Sequence, residues 1–253
     1  MDALSLLPSS LTILDALALT LASLFTSYLT ASIGIGGGTM LLAIMAQLVP
    51  IKALIPVHGI IQLGSNLSRA GLLRKDISVL HAAYFLLGSM IGAIVGGNLV
   101  ITLPVTILQI VLGTFILFSV WGPKVKTNAS SVPLLCINGG ISTLLTMFVG
   151  ATGPFVLACL RPFTFSPTKL VATSAACMVI QHLLKVIVFG LLGFAFTDYV
   201  LLMIAMLIAG FIGTLFGRKM LLKVDERKFN IMLNAVLSVL ALKLCYSGLI
   251  NVF

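Results

Sequence analysis

The sequence predicts an all-α, polytopic membrane protein of ten helical segments in two inverted five-segment repeats. Segments two and seven are short and start within the membrane. Three observations predict this. Of 253 residues, 60% are hydrophobic and only 8% charged, against the roughly one quarter typical of a water-facing domain. Gly, Pro and charged residues cut the chain into ten apolar pieces. A glycine cluster, Gly34-Ile35-Gly36-Gly37-Gly38, has a counterpart 116 positions later in Gly150-Ala151-Thr152-Gly153-Pro154.

A spanning helix needs about 20 apolar residues. Segment one, 10–33, runs up to the glycine cluster. The stretch before it carries Asp2 and no basic run, so it reads as the start of a membrane helix rather than a signal peptide. Segment two, 37–49, stops at Pro50. Segment three, 53–73, lies between Lys52 and Arg74. Segment four, 78–100, follows Asp76. Segment five, 104–121, runs from Pro104 to Gly122. Segment six, 132–149, ends at Gly150. Segment seven, 153–161, runs from Gly153 to Arg161. Segment eight, 167–192, opens on Pro167. Segments nine, 197–220, and ten, 227–248, flank a basic stretch at 219–228. That stretch and 122–131 are the only long polar connections, so nothing reads as a separate soluble domain. Segment two, at about 1.5 Å per residue, reaches only about 20 Å of the roughly 30 Å of hydrocarbon, and segment seven reaches less. Their glycine ends therefore lie within the membrane.

The repeat extends past the glycines. At the same offset, Ser65-Asn66-Leu67-Ser68-Arg69 falls on Gln181-His182-Leu183-Leu184-Lys185, and further on, after an apparent insertion, Ile91-Gly92 through Gly96 resembles Ile212-Gly213 through Gly217. The halves are 1–125 and 126–253. Five segments per half is odd, so the second copy should be upside down. Basic residues agree. If all ten segments cross from an outside N-terminus, the inner connections hold Arg74, Lys75, Lys124, Lys126, Arg161, Lys169, Arg218, Lys219, Lys223, Arg227 and Lys228. The outer ones hold only Lys52. If segments two and seven are re-entrant instead, the 218–228 cluster falls opposite Arg74 and Lys75.

A helix beginning inside a bilayer offers unpaired N–H groups and a positive dipole end, a ready anion site. Two of them, meeting at the midplane, make Gly36, Gly37, Gly38, Thr39, Thr152 and Gly153 candidate substrate-binding residues. The alternative for such glycines is close helix crossing, and that alternative is preferred for Gly88, Gly92, Gly96, Gly213 and Gly217. Arg69 and Lys185 are cations within membrane helices, where charge is expensive and marks function unless it snorkels out. Under the inverted topology they would guard opposite mouths of one site. Gln62, Asn66 and Arg69 share a face of segment three. Gln181, His182 and Lys185 form the matching set on segment eight. His58, Thr173 and Ser174 lie upstream on the same two helices. Helix–helix hydrogen bonding is the competing reading for each of these polar groups.

His58 and His182 are the deep groups that titrate near neutrality. Asp15, Asp76 and Asp198 sit near segment ends, so no carboxylate is placed deep. That disfavours the usual sodium sites and carboxylate proton relays, and leaves the proton as the coupling ion to consider. It also suits a small anionic substrate. The net charge of +9 orients helices and does not signal nucleic acid. Cys136, Cys159, Cys177 and Cys245 are scattered without metal-ligand spacing and read as small core residues. Trp121 and Tyr199 sit at segment ends, as belt aromatics do. No cofactor motif or nucleophile–base pair is present, so an enzyme is not expected.

From Gly34 through Thr39, with Pro56 and a polar helix following, the chain resembles the sulfite exporter TauE/SafE family. Gly150 through Pro154, then Pro167 to Ser174, resembles that family's second motif. The resemblance implies a bacterial inner-membrane secondary transporter for sulfite or an organosulfonate, an exporter, working by alternating access. A passive anion channel with the same midplane site is the alternative. A membrane subunit without transport of its own is a third class.

Overall fold

The computed structural model describes residues 7–8, 10–33, 36–100, 102–122, 131–219 and 226–250. Among them are ten α-helices and no strand: α1 (Ile13–Ile33), α2 (Gly37–Leu48), α3 (Ile51–Leu72), α4 (Val79–Val100), α5 (Val105–Trp121), α6 (Leu134–Val149), α7 (Gly153–Leu160), α8 (Pro167–Leu191), α9 (Val200–Lys219) and α10 (Glu226–Ile250). Each expected segment is present. Pro50 and Pro104 cap α3 and α5, where a missing N–H costs nothing. Ser166 caps α8, its Oγ accepting from the Lys169 N–H at 3.3 Å. The ninth helix starts three residues late because Phe196–Tyr199 forms a 3-10 turn.

Both helix breaks are real. α1 ends at Ile33 and Gly36 is non-helical before α2 starts at Gly37, and the chain from Gly150 to Thr152 is non-helical between α6 and α7. Gly36 and Gly150 turn through φ of 97° and 75°, a region open to glycine and strained for other residues. The 12 residues of α2 and 8 of α7 span only about 18 and 12 Å. Gly34, Ile35, Lys124, Lys126 and Lys223 lie outside the described residues, as do the side chains of Arg218, Lys219, Arg227 and Lys228.

Among the described residues, four helical stretches are long and apolar enough to cross a membrane: Ile13–Ser32, Val79–Val100, Pro167–Leu191 and Phe196–Gly217. α3 is 22 residues long but is made less apolar by Lys52, His58, Gln62, Asn66 and Arg69. Outward faces are oily, with Leu14 at 77% exposure and Leu191 at 83%, as a lipid-facing surface requires. The molecule is a multi-pass membrane protein.

Glycines set the closest crossings. A Cβ on Gly88 would lie 1.6 Å from the Cys136 carbonyl oxygen, and one on Gly92 would lie 2.2 Å from that of Gly140. So α4 and α6 touch backbone to backbone. α9 meets α1 in the same way: a Cβ on Gly213 would lie 2.1 Å from the Leu24 carbonyl oxygen, and one on Gly217 would lie 2.3 Å from that of Tyr28. α3 lies against α8, and α5 against α10. Exchanging every helix for the one five places along maps these pairings onto each other.

Trp121 is 70% exposed and its ring N–H donates to Ser238 Oγ at 2.8 Å. Tyr199 is not a belt residue. It is 9% exposed and stacks on Phe194, centroids 5.9 Å apart, because the 3-10 turn folds it inward. Cys159 and Cys177 pack in a small apolar cluster with Phe85, Val156 and Leu160.

Candidate functional site

The two breaks face a single cavity of about 260 Å³. From the first break and α2 come Gly36, Gly38 and Thr39. From the second come Gly150, Ala151, Gly153 and Pro154. α3 contributes Gln62 and Arg69, and α8 contributes Ser174, Met178 and His182. Eight of the expected binding residues therefore line one space. Thr30 on α1 and Arg161 at the end of α7 complete its polar lining.

Four more of the expected residues form the wall behind. His58 is wholly buried, and its Nε2 lies 3.1 Å from the Gly38 carbonyl oxygen. Asn66 accepts from Arg69 Nη2 at 2.5 Å while donating to the Gln62 carbonyl at 2.7 Å. That bond draws the guanidinium along α3. Gln181 donates to Thr152 Oγ1 at 2.8 Å, and Ser142 Oγ donates to Gln181 Oε1 at 2.9 Å. This buried triad ties α6, the second break and α8 together.

Three residues sit differently from the expectation. A Cβ on Gly37 would lie 2.0 Å from the Thr26 carbonyl oxygen, so Gly37 serves the packing of α2 on α1. Thr173 accepts from the Ser78 N–H at 3.0 Å, anchoring the turn before α4. Lys185 guards no mouth. It is wholly buried, its stem rests on Gly59, and its Nζ donates to Thr146 Oγ1 at 2.9 Å and to the Gly150 carbonyl at 3.5 Å. The reason is the C-terminal end of α6, whose carbonyl and hydroxyl oxygens suit an ammonium better than lipid does.

The electrostatics are one-sided. Arg69 and Arg161 line the cavity and Lys185 lies behind it. Every buried polar or charged side chain among the described residues is neutral, imidazole or cationic, with no carboxylate. His182 is wholly buried, and neither of its ring nitrogens has a partner. A buried polar group left unpaired costs about 1–3 kcal/mol, and this unpaired ring lines the cavity.

A family model described as Sulfite exporter TauE/SafE matches residues 19–244, from within α1 to within α10. The chain belongs to the TauE/SafE family. Neither a curated protein nor a solved structure matches it. TauE/SafE proteins are membrane transporters of sulfite and related sulfur anions rather than enzymes, and this TauE/SafE chain has a cavity lined by Arg69 and Arg161 where its two broken helices meet.

Sequence reasoning missed Ser142, Thr146, Thr30 and the cavity position of Arg161. A signal existed for the first three. Ser142, Thr146 and Gly150 recur every four residues along one face of α6, and 116 positions earlier stand Thr26, Thr30 and Gly34. Each hydroxyl stripe leads into a break. Arg161 reads from sequence only as an orienting charge.

Proposed function

We propose that this protein is a secondary transporter exporting a small sulfur-containing anion, sulfite or an organosulfonate, across a bacterial inner membrane. The anion sits between the starts of α2 and α7. Its oxygens meet the free N–H groups there and the His182 ring, and Arg69 and Lys185 supply positive charge. The observation that carries this reading is His182: a wholly buried ring with no partner, facing a carboxylate-free cavity between two helix starts.

The halves 1–125 and 126–253 are read as an inverted repeat, a design that places the site where the repeats meet. The helix pairings support it. Those pairings also bear on how alternating access would work. Each long crossing joins one half to the other, which favours moving bodies that mix helices from both halves. The moving bodies are α1, α2 and α9 on one side and α4, α6 and α7 on the other, pivoting about α3 and α8.

The test is flux in proteoliposomes with radiolabelled sulfite and sulfoacetate. Arg69→Ala and Lys185→Ala each lower flux at least tenfold while expression stays normal. Wild-type flux in both removes their assigned role. Uphill accumulation under an imposed pH gradient separates this reading from a passive facilitator.

A further inference from the structure

Transport of an anion accounts for the cavity but not for a second ring beside it. His58 on α3 and His182 on α8 are both wholly buried and meet edge to face, with centroids 6.5 Å apart and planes at 76°. Three of their four ring nitrogens have no partner: His58 Nδ1 and both nitrogens of His182.

The partner of the fourth fixes the chemistry. A carbonyl oxygen can only accept, so His58 Nε2, bonded to the Gly38 carbonyl, carries its hydrogen. Nδ1 is then a bare base in the protein interior. It faces the second break, where a Cβ on Gly150 would stand 3.2 Å away. One imidazole thus touches both broken helices, bonded to the first through Nε2 and aimed at the second through Nδ1. His182, the ring beside that base, lines the cavity.

We propose that His58 Nδ1 is the proton site through which this transporter couples its anion to a proton, with His182 passing the proton between the cavity and Nδ1. The proposal rests on the transport reading above. One proton from the aqueous side adds to Nδ1, giving an imidazolium, and leaves again with the anion on the other side. An anion in the cavity and a proton on Nδ1 attract each other, so each raises the affinity of the other by the same factor.

The charged groups around the pair are Arg69 from α3, Lys185 from α8 and Arg161 at the end of α7. α2 presents only the Gly38 carbonyl. The other charged groups on packed elements lie at or near helix ends: Lys52, Arg74, Lys75, Asp76, His81, Lys169, Asp198, Arg218 and Lys219, while Tyr84, Cys159 and Cys177 are the neutral titratable side chains on α4, α7 and α8. No carboxylate competes with the imidazoles for the proton, and Lys185 is the rival base.

The experiment measures binding of sulfoacetate to the purified full-length protein from about pH 6 to about pH 8, where the ligand's own charge is constant. Proton uptake is counted by calorimetry in buffers of different ionisation enthalpy. Wild type should lose affinity about tenfold per pH unit and take up one proton per anion. His58→Gln keeps a donor for the Gly38 carbonyl but has no base. It should show a flat pH profile and no proton uptake, whatever its affinity. A wild-type slope in His58→Gln overturns the proposal, as does linkage lost in Lys185→Met but kept in His58→Gln. Should His58→Gln fail to fold, the wild-type proton count decides, and zero overturns the proposal. Anion binding without linked protons leaves the transport reading standing. Absence of binding by sulfite and sulfoacetate alike removes both.

Discussion

Gly150→Ala tests the second helix break directly. Gly150 turns through φ of 75°, where a side chain costs about 1–3 kcal/mol of backbone strain. The new Cβ would also stand 2.9 Å from Leu42 Cδ1, 3.3 Å from Leu42 Cδ2 and 3.2 Å from His58 Nδ1. Neither neighbour yields easily. Leu42 is wholly buried, and His58 is held by the Gly38 carbonyl. Overpacking of that kind costs about 1–3 kcal/mol. The two effects together amount to about 4 kcal/mol, and at about 2–4 °C per kcal/mol for a chain of this length the unfolding midpoint should fall by about 8–16 °C. The assay is thermal unfolding in detergent, with Gly71→Ala as control. Nothing lies within 4 Å of a Cβ at Gly71, and alanine should gain about 0.5–1 kcal/mol there as a better helix former. A Gly150→Ala protein melting within about 2 °C of wild type would refute the strained-break argument.

Three further predictions concern the wall and the crossings. Lys185→Met removes a buried charge that has no carboxylate partner. A lone buried charge carries a desolvation penalty of several kcal/mol, so the midpoint should hold or rise in the same unfolding assay, and a fall of more than about 6 °C would mark Lys185 as a structural clamp. Thr152→Val strips the acceptor from the buried Gln181 amide and should cost about 1–3 kcal/mol. Thr152→Ser should restore it, and equal midpoints for the two variants would discount the triad. Gly88→Ala drives a Cβ into the Cys136 carbonyl at 1.6 Å, whereas Gly140→Ala meets its nearest atom at 3.3 Å. Size-exclusion profiles should show the first aggregated and the second monodisperse, and two monodisperse profiles would contradict the crossing.

Much of this architecture could be read from punctuation. Gly and Pro act locally through φ and the missing N–H, so helix ends at Pro50, Pro104, Gly150 and Pro167 follow from neighbouring residues alone. The close crossings were legible because glycines four residues apart leave a groove whatever lies opposite. The rotation of a helix about its axis is different, since it depends on the whole bundle. Polar residues on α3 and α8 could be named as candidates, but which of them reach the cavity was settled by packing. Lys185 illustrates the limit. A membrane lysine turns outward or inward according to the acceptors its neighbours offer, and those acceptors, Thr146 and the Gly150 carbonyl, belong to α6. Tyr199 turned inward for a similar reason, since a 3-10 turn gave its ring an aromatic partner.

The swapped pairing of helices has a consequence for biosynthesis. α1 closes on α9, α4 on α6, α3 on α8 and α5 on α10, so the part made first enters the bilayer before its main partners exist. Until the later helices are inserted, the glycine grooves of α4 stay open to lipid and the basic side chain of Arg69 has no finished cavity to face. Maturation must therefore be a late, concerted zippering rather than helix-by-helix assembly. Two fragments parted within the 122–131 connection should each be unstable when made alone and should recover activity when made together.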